Sequence, residues 1–235
     1  MVQCYPVLAF PMAAILGASW RHRWTGFLTT GFIALCIAYN FWLTYNAHAP
    51  NGLVRVGETN EAYFWKTLGR MHVDPQTILL LDNPEGHGNV NQAGKVILQE
   101  GFEQSSQATA CGMPVIRGDK AICVGPEYRS SGLIPFDIPA GTRWVRATAT
   151  FRGGAKEWDV WLMTQFCLHL LDADMKVKTG IVRVNRILDD HATLQCSVDL
   201  NLPGGFSTGQ GAVEFLNVGS QNSMQMDELS VLAFQ

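Results

Sequence analysis

The sequence predicts a membrane-anchored all-β protein, in which two N-terminal transmembrane helices carry an extracytoplasmic jelly-roll β-sandwich. Three observations predict it. The stretch Trp24–Tyr45 contains no charged side chain. No Asp or Glu precedes Glu58. From Lys95 to Gln235 the apolar residues recur with period two, the signature of half-buried strands. Over all 235 residues, 47% hydrophobic with a formal charge of -3, the chain resembles an ordinary soluble protein. That average conceals a division into a two-helix anchor (1–46), a linker with a short interfacial helix and one strand (47–94), and a sandwich domain (95–235). No basic excess argues for a nucleic-acid partner.

Residues 2–20 form the first apolar run, and no positive n-region precedes it as in a secretory signal. The run is read as a first membrane helix softened by Pro6 and Pro11, with a re-entrant or interfacial segment as the competitor because it is short for a span. The second run covers about 22 residues, enough at 1.5 Å each to cross a hydrocarbon core. Trp24 opens it and Trp42 and Tyr45 close it, as interfacial aromatic anchors do. A buried helix of a soluble protein is the competing reading, disfavoured by the neighbouring run. Arg21-His22-Arg23 lies between the two runs, and the positive-inside rule keeps Arg21 and Arg23 in the cytoplasm. Both chain ends then face outward, which places the sandwich outside a bacterial cytoplasmic (inner) membrane.

A short helix is expected from Thr59 or Asn60, either of which can cap it, to Gly69. Phe64, Trp65 and Leu68 share one of its faces, lying on the membrane surface or against the next domain. After Asp74-Pro75, Ile78–Asp82 reads as a short buried strand. Residues 83–89 (NPEGHGN) read as a flexible turn, and His87 has no acidic, His or Cys neighbour at ligand spacing.

In Trp144–Phe151, Val145, Ala147, Ala149 and Phe151 alternate with polar positions, and Leu194–Leu202 alternates likewise. Trp158–Leu171 is apolar on both parities, as a central strand covered on both sides, or one facing a partner, would be. The parity change at Asp227-Glu228 predicts a β-bulge. Turn clusters separate roughly eight to ten strands, consistent with a jelly roll.

The phrases FE (102–103), WVRATATF (144–151), LNLPGG (200–205), VEFLNVGS (213–220) and MDELSVLAF (226–234) resemble the galactose-binding, carbohydrate-module type of β-sandwich. In that group a structural calcium often bridges an early acidic residue and one on the last strand, which the resemblance transfers to Glu103 and Asp227. Hydrogen bonding of these carboxylates to backbone is the competing role. The order of apolar helices, TNEAYFWKTLG (59–69) and sandwich also resembles the C-terminal portion of bacterial membrane glycosyltransferases of the dolichyl-phosphate-mannose mannosyltransferase type. Their catalytic acids lie many helices upstream, and no acid precedes Glu58 here. This second resemblance therefore implies descent or truncation and does not imply activity.

Exposed aromatics are the expected sugar platforms, and the candidates are Tyr128, Trp144, Trp158 and Phe206, with Trp144 on the polar parity of its strand. Each could instead pack beneath a loop or against a partner. Of six cysteines, Cys111 and Cys123 flank a hairpin and are a candidate disulfide. Cys4 and Cys36 read as small apolar residues, and Cys167 and Cys196 as buried thiols or a bridge. Asp172, Asp174, Asp189, Asp190 and His191 cluster in two turns, where Asp is common without chemistry. No G-x-S-x-G, phosphate loop or H-E-x-x-H occurs. The expected function is therefore non-catalytic binding, foremost as an accessory or structural subunit among other membrane-protein subunits. A carbohydrate-binding module, or a non-catalytic glycosyltransferase fragment, is the alternative.

Overall fold

The computed structural model describes residues 5–49, 52–55, 57–88, 90, 92–105, 112–172, 175–206 and 209–235, with backbone alone at 5–11 and 175. The chain divides into two compact units, residues 1–57 with 69–72, and residues 58–68 with 73–235.

The first unit contains α1 (Tyr5–Ser19) and α2 (Arg23–His48). At 1.5 Å per residue, α1 with 15 residues reaches about 23 Å, short of a bilayer core of about 30 Å. Among the described residues only α2, with 26, is long and apolar enough to cross one. The expected pair of membrane spans is thus corrected to a single candidate. Trp24 and Tyr45 stand exposed at its two ends. Trp42 is half-buried, and its indole N–H donates to the Arg70 carbonyl at 2.9 Å. Arg21 and Arg23 are exposed at the α1–α2 junction. Beyond α2 the chain folds back: the amide of buried Asn46 donates to the Trp42 carbonyl, while its side-chain oxygen accepts the Leu53 N–H. Gly52 is required there, because a Cβ would lie 1.9 Å from the Asn46 carbonyl oxygen.

The second unit opens with α3 (Glu61–Thr67), whose N-cap Asn60 accepts the Tyr63 N–H at 3.0 Å. It buries Tyr63 against Leu80 and Leu81 and leaves Trp65 outward, so the face that packs is not the predicted Phe64/Trp65/Leu68 face. The strand expected at 78–82 is absent. Instead α4 (Pro75–Ile78) passes into a 3₁₀ turn over Leu79–Leu81. Asp74 caps α4 by accepting the Thr77 N–H, and Pro75 supplies a φ suited to the first turn.

Two antiparallel sheets follow. The larger has the order β1 (Lys95–Glu100), β9 (Met224–Phe234), β4 (Trp144–Gly153), β7 (Thr193–Asn201), with β2 (Ile122–Val124) also pairing along β9. The smaller is β3 (Ile134–Asp137), β8 (Gln210–Leu216), β5 (Gln165–Asp172), β6 (Met175–Arg183). Most connections cross between the sheets, giving an antiparallel β-sandwich.

The predicted inward set of β4 (Val145, Ala147, Ala149, Phe151) is wholly buried, as are Cys196, Val198 and Leu200 of β7. Phe151 meets Phe166 edge-on at 5.0 Å and Phe215 at 5.3 Å between the sheets. The bulge falls where expected: Thr148 pairs with Ser230 but Thr150 with Asp227, and Glu228 adopts φ +50. Residues 158–164 are a loop, and the doubly covered central strand starts only at Gln165. Cys167 and Cys196 are buried free thiols, and burial pushes the Cys167 thiol up to about 12. Cys123 is disulfide-bonded. Its expected partner Cys111 lies outside the described residues, as do Cys4 and Asp174.

Candidate functional site

Trp144 does not form an open platform. It is 8% exposed, stacked between His87 (centroids 4.0 Å, planes 16°) and Phe234 (3.8 Å, 2°). The cause is a strap, residues 83–88, laid across the outer face of the larger sheet. Arg146 grips Asp199 through Nε (2.6 Å) and Nη2 (2.7 Å), and Asp199 also accepts the His87 N–H at 2.7 Å. Arg146 further donates to the Gly88 carbonyl, and Asn83 to that of Asp199. Glu85 receives the Asn201 N–H and the Lys178 ammonium. The turn cluster expected to be flexible is therefore pinned to β7 on both sides. Phe206 is likewise corrected, since it is half-buried and packs against the core.

Tyr128 and Trp158 remain open, at 54% and 77% exposure, and Trp161 joins them at 77%. Both indoles sit on one turn whose backbone is held by acidic side chains. Glu157 Oε1 accepts the N–H groups of Trp158 (3.0 Å) and Asp159 (3.1 Å), and Asp159 Oδ1 accepts that of Trp161 (3.0 Å). The Asp159 carbonyl accepts the N–H groups of Leu162 and Met163. The turn is fixed in turn to the 217–223 loop. The Ser220 hydroxyl donates to Glu157 Oε2 at 2.9 Å, and a Cβ on Gly219 would lie 2.9 Å from the Leu162 side chain. The Tyr128 loop joins the same end of the sandwich, because the Asn217 N–H donates to the Arg129 carbonyl. Lys156 Nζ lies 4.7 Å from the Trp158 ring centroid while paired with Asp189 at 2.9 Å. The predicted Asp172/Asp189/Asp190/His191 grouping thus contributes one ion pair to this end. Trp161 was missed because its apolar neighbours read as a strand. The available signal was the Glu157-x-Asp159 pair, acidic side chains suited to taking up turn N–H groups.

Glu103 and Asp227 face a common cleft of about 440 Å³ with Glu100, Glu228 and Ser230. Both Glu103 oxygens accept the Asp119 N–H, at 3.0 and 3.2 Å. Asp227 accepts the N–H groups of Arg117 (3.0 Å) and Glu228 (2.7 Å). Burial raises the Asp227 carboxyl above its ordinary value, and the Glu228 and Glu103 charges add to this against the two N–H bonds. Among the described residues no three His, Cys, Asp or Glu side chains gather as a metal-binding group. The cleft's carboxylates offer oxygen, the chemistry calcium takes, while the Arg117 guanidinium that also lines it is paired with Glu228 at 2.6 Å.

A separate polar row crosses the smaller sheet. His169, 3% exposed, meets the Thr179 hydroxyl at 2.8 Å and Glu214 at 3.2 Å. Lys176 and the Ser130 hydroxyl also donate to Glu214, each at 2.8 Å. Burial, with the Lys176 charge, holds the imidazole below its ordinary pKa and outweighs the Glu214 carboxylate. The folded state therefore takes up the His169 proton at lower pH than the unfolded chain, which does so below about pH 6.5. That contribution is present above the unfolded value and is lost as pH falls. Tm should accordingly drop on acidification below about pH 6.5, and His169→Gln should flatten that slope. A slope unchanged in the variant would assign the acid limb elsewhere.

No protein-family model matches the sequence, and no curated protein matches it. Solved structures that resemble the fold include a family 16 carbohydrate-binding module (14% identity, TM-score 0.33, 50% of this chain and 79% of the other). Another is the CBM22-1 xylan-binding domain of Paenibacillus barcinonensis Xyn10C (12%, 0.37, 61% and 97%). A third is a Stig cyclase from Fischerella sp. TAU (12%, 0.36, 60% and 98%). At these TM-scores the likeness is to a β-sandwich outline and extends to no site.

Proposed function

We propose that the chain is a membrane-tethered, non-catalytic binding protein whose sandwich head holds a glycan on the Trp158/Trp161 turn. The observation that carries this reading is two indoles, each 77% exposed, on a turn whose conformation is fixed by Glu157 and Asp159. Large exposed aromatics on a soluble surface mark interaction sites. Holding them rigidly lowers the entropy lost when a sugar ring stacks. Tyr128, also exposed, stands at the same end of the sandwich. In this proposal α2 crosses a bacterial cytoplasmic membrane. Arg21 and Arg23 abut its N-terminal end, and the positive-inside rule supports a head on the extracytoplasmic face even with one span.

Affinity electrophoresis of the detergent-solubilised chain through gels cast with soluble polysaccharides tests the reading. Retardation by at least one polysaccharide supports it, and unchanged mobility in all contradicts it.

A second reading, an accessory subunit of a larger membrane assembly, is favoured by Asn40. This exposed amide in the C-terminal third of α2 donates to the Cys36 carbonyl and keeps its oxygen available to another helix. A helix–sandwich fragment descended from a membrane glycosyltransferase would act in the same non-catalytic way.

The proposal includes a structural calcium in the Glu103–Asp227 cleft, supported by its oxygen donors and facing carboxylates. Calcium in excess should raise Tm for the native chain and leave Asp227→Asn unmoved. Equal shifts in both would exclude Asp227 as a ligand.

A further inference from the structure

The larger sheet carries a cleft of about 430 Å³ on its outer face, separate from the aromatic turn and within the size range of small-molecule sites. We infer that this cleft is a second binding site, for an uncharged, hydroxyl-rich ligand of one or two sugar-sized rings. Its floor is a row of hydroxyls crossing three adjacent strands. Ser197 of β7 pairs with Thr148 of β4, which pairs in turn with Ser230 of β9. The strands that carry them run about 4.8 Å apart. The Thr148 and Ser197 oxygens are 2.9 Å from each other, which uses one donor between them and leaves the other donor and several lone pairs for a ligand.

Charge selects against ions. The Arg146 guanidinium beside the row is closed bidentately by Asp199, so the cleft presents a neutral pair rather than an open charge. Leu79, Leu80 and Leu232 also line it, giving apolar surface against which the C–H face of a ring can rest. The wall containing Asn83, Gly86 and Gly88 is preformed, because the strap bonds that bury Trp144 also hold it. Outward polar residues are expected of any antiparallel sheet with one wet face. What distinguishes this place is that a fixed wall encloses an uninterrupted hydroxyl row with no charge left unpaired.

The inference stands apart from the glycan proposal for the aromatic turn and is tested in its absence. In a Trp158→Ala/Trp161→Ala background, saturation-transfer NMR is run with glucose, galactose and mannose methyl glycosides, cellobiose and maltose. At least one probe should receive saturation. Ser230→Phe, which fills the cleft from the surface, should abolish it. Thr148→Val/Ser197→Ala, which keeps the side-chain volumes close to native, should weaken affinity at least 10-fold. Circular dichroism confirms that each variant is folded, and either one suffices. No transfer to any probe, or transfer unchanged in the folded variants, overturns the inference. Failure of the aromatic-turn proposal would show differently: with the cleft filled by Ser230→Phe, polysaccharide binding would be unchanged by loss of both tryptophans.

Discussion

Asp82→Ala should lower stability by about 3–5 kcal/mol, the range for stripping one partner from a buried ion pair. The Asp82 side chain is 1% exposed. It accepts the Arg183 N–H at 2.8 Å, pairs with the Arg183 guanidinium and accepts Arg186 Nε at 2.8 Å. Arg186 is 2% exposed, and its remaining carboxylate partner is Glu58, itself 26% exposed. Without Asp82 a buried guanidinium keeps half its compensation, and the Arg183 N–H loses its acceptor. Asp82→Asn retains one acceptor oxygen and should cost less. Urea denaturation at pH 7 reads both. A loss below about 1 kcal/mol for the alanine variant would mean that water or a neighbouring carboxylate replaces Asp82.

Asp199→Ala should cost about 3 kcal/mol and loosen the strap. Its carboxylate is 3% exposed and is the sole carboxylate paired with Arg146 among the described residues. It also receives the His87 N–H that keeps the imidazole over Trp144. Glu85 would still hold Asn201 and Lys178, so the strap should open at its His87 end first. Limited proteolysis should then cut within residues 83–88 in the variant and spare the native chain. Trp144 should become accessible to acrylamide quenching. Equal protease resistance would assign the strap's order to Glu85 alone.

The strands were legible where one face meets the core and the other meets water. In β4 and β7 the alternation marked the inward side chains correctly, and the parity break at Asp227-Glu228 located the bulge. Parity says which face a side chain takes and nothing about what later covers that face. Trp144 sits on the outer face as expected, yet a strap 56 to 61 positions earlier in the chain closes over it. The run at 78–82 misled for a local reason: the Asp74 cap and Pro75 start a helix, and three leucines are as buried in a 3₁₀ turn as in a strand. Trp158–Leu171 merged a loop and a strand because its two exposed tryptophans looked like core residues. The Asp82–Arg186 pairing spans 104 positions and leaves no pattern in either neighbourhood. Among the described residues helix length separates α1 from α2, in line with the shortness of the first apolar run in the sequence.

The most direct test of a glycan-binding head is calorimetric titration of the native chain and of Trp158→Ala/Trp161→Ala with the polysaccharide that retards the native chain most. Truncating one tryptophan anchor costs about 2 kcal/mol or more, about 30-fold in affinity, so the double variant should bind more weakly than that while keeping its Tm. Native affinity in the folded double variant would contradict the account.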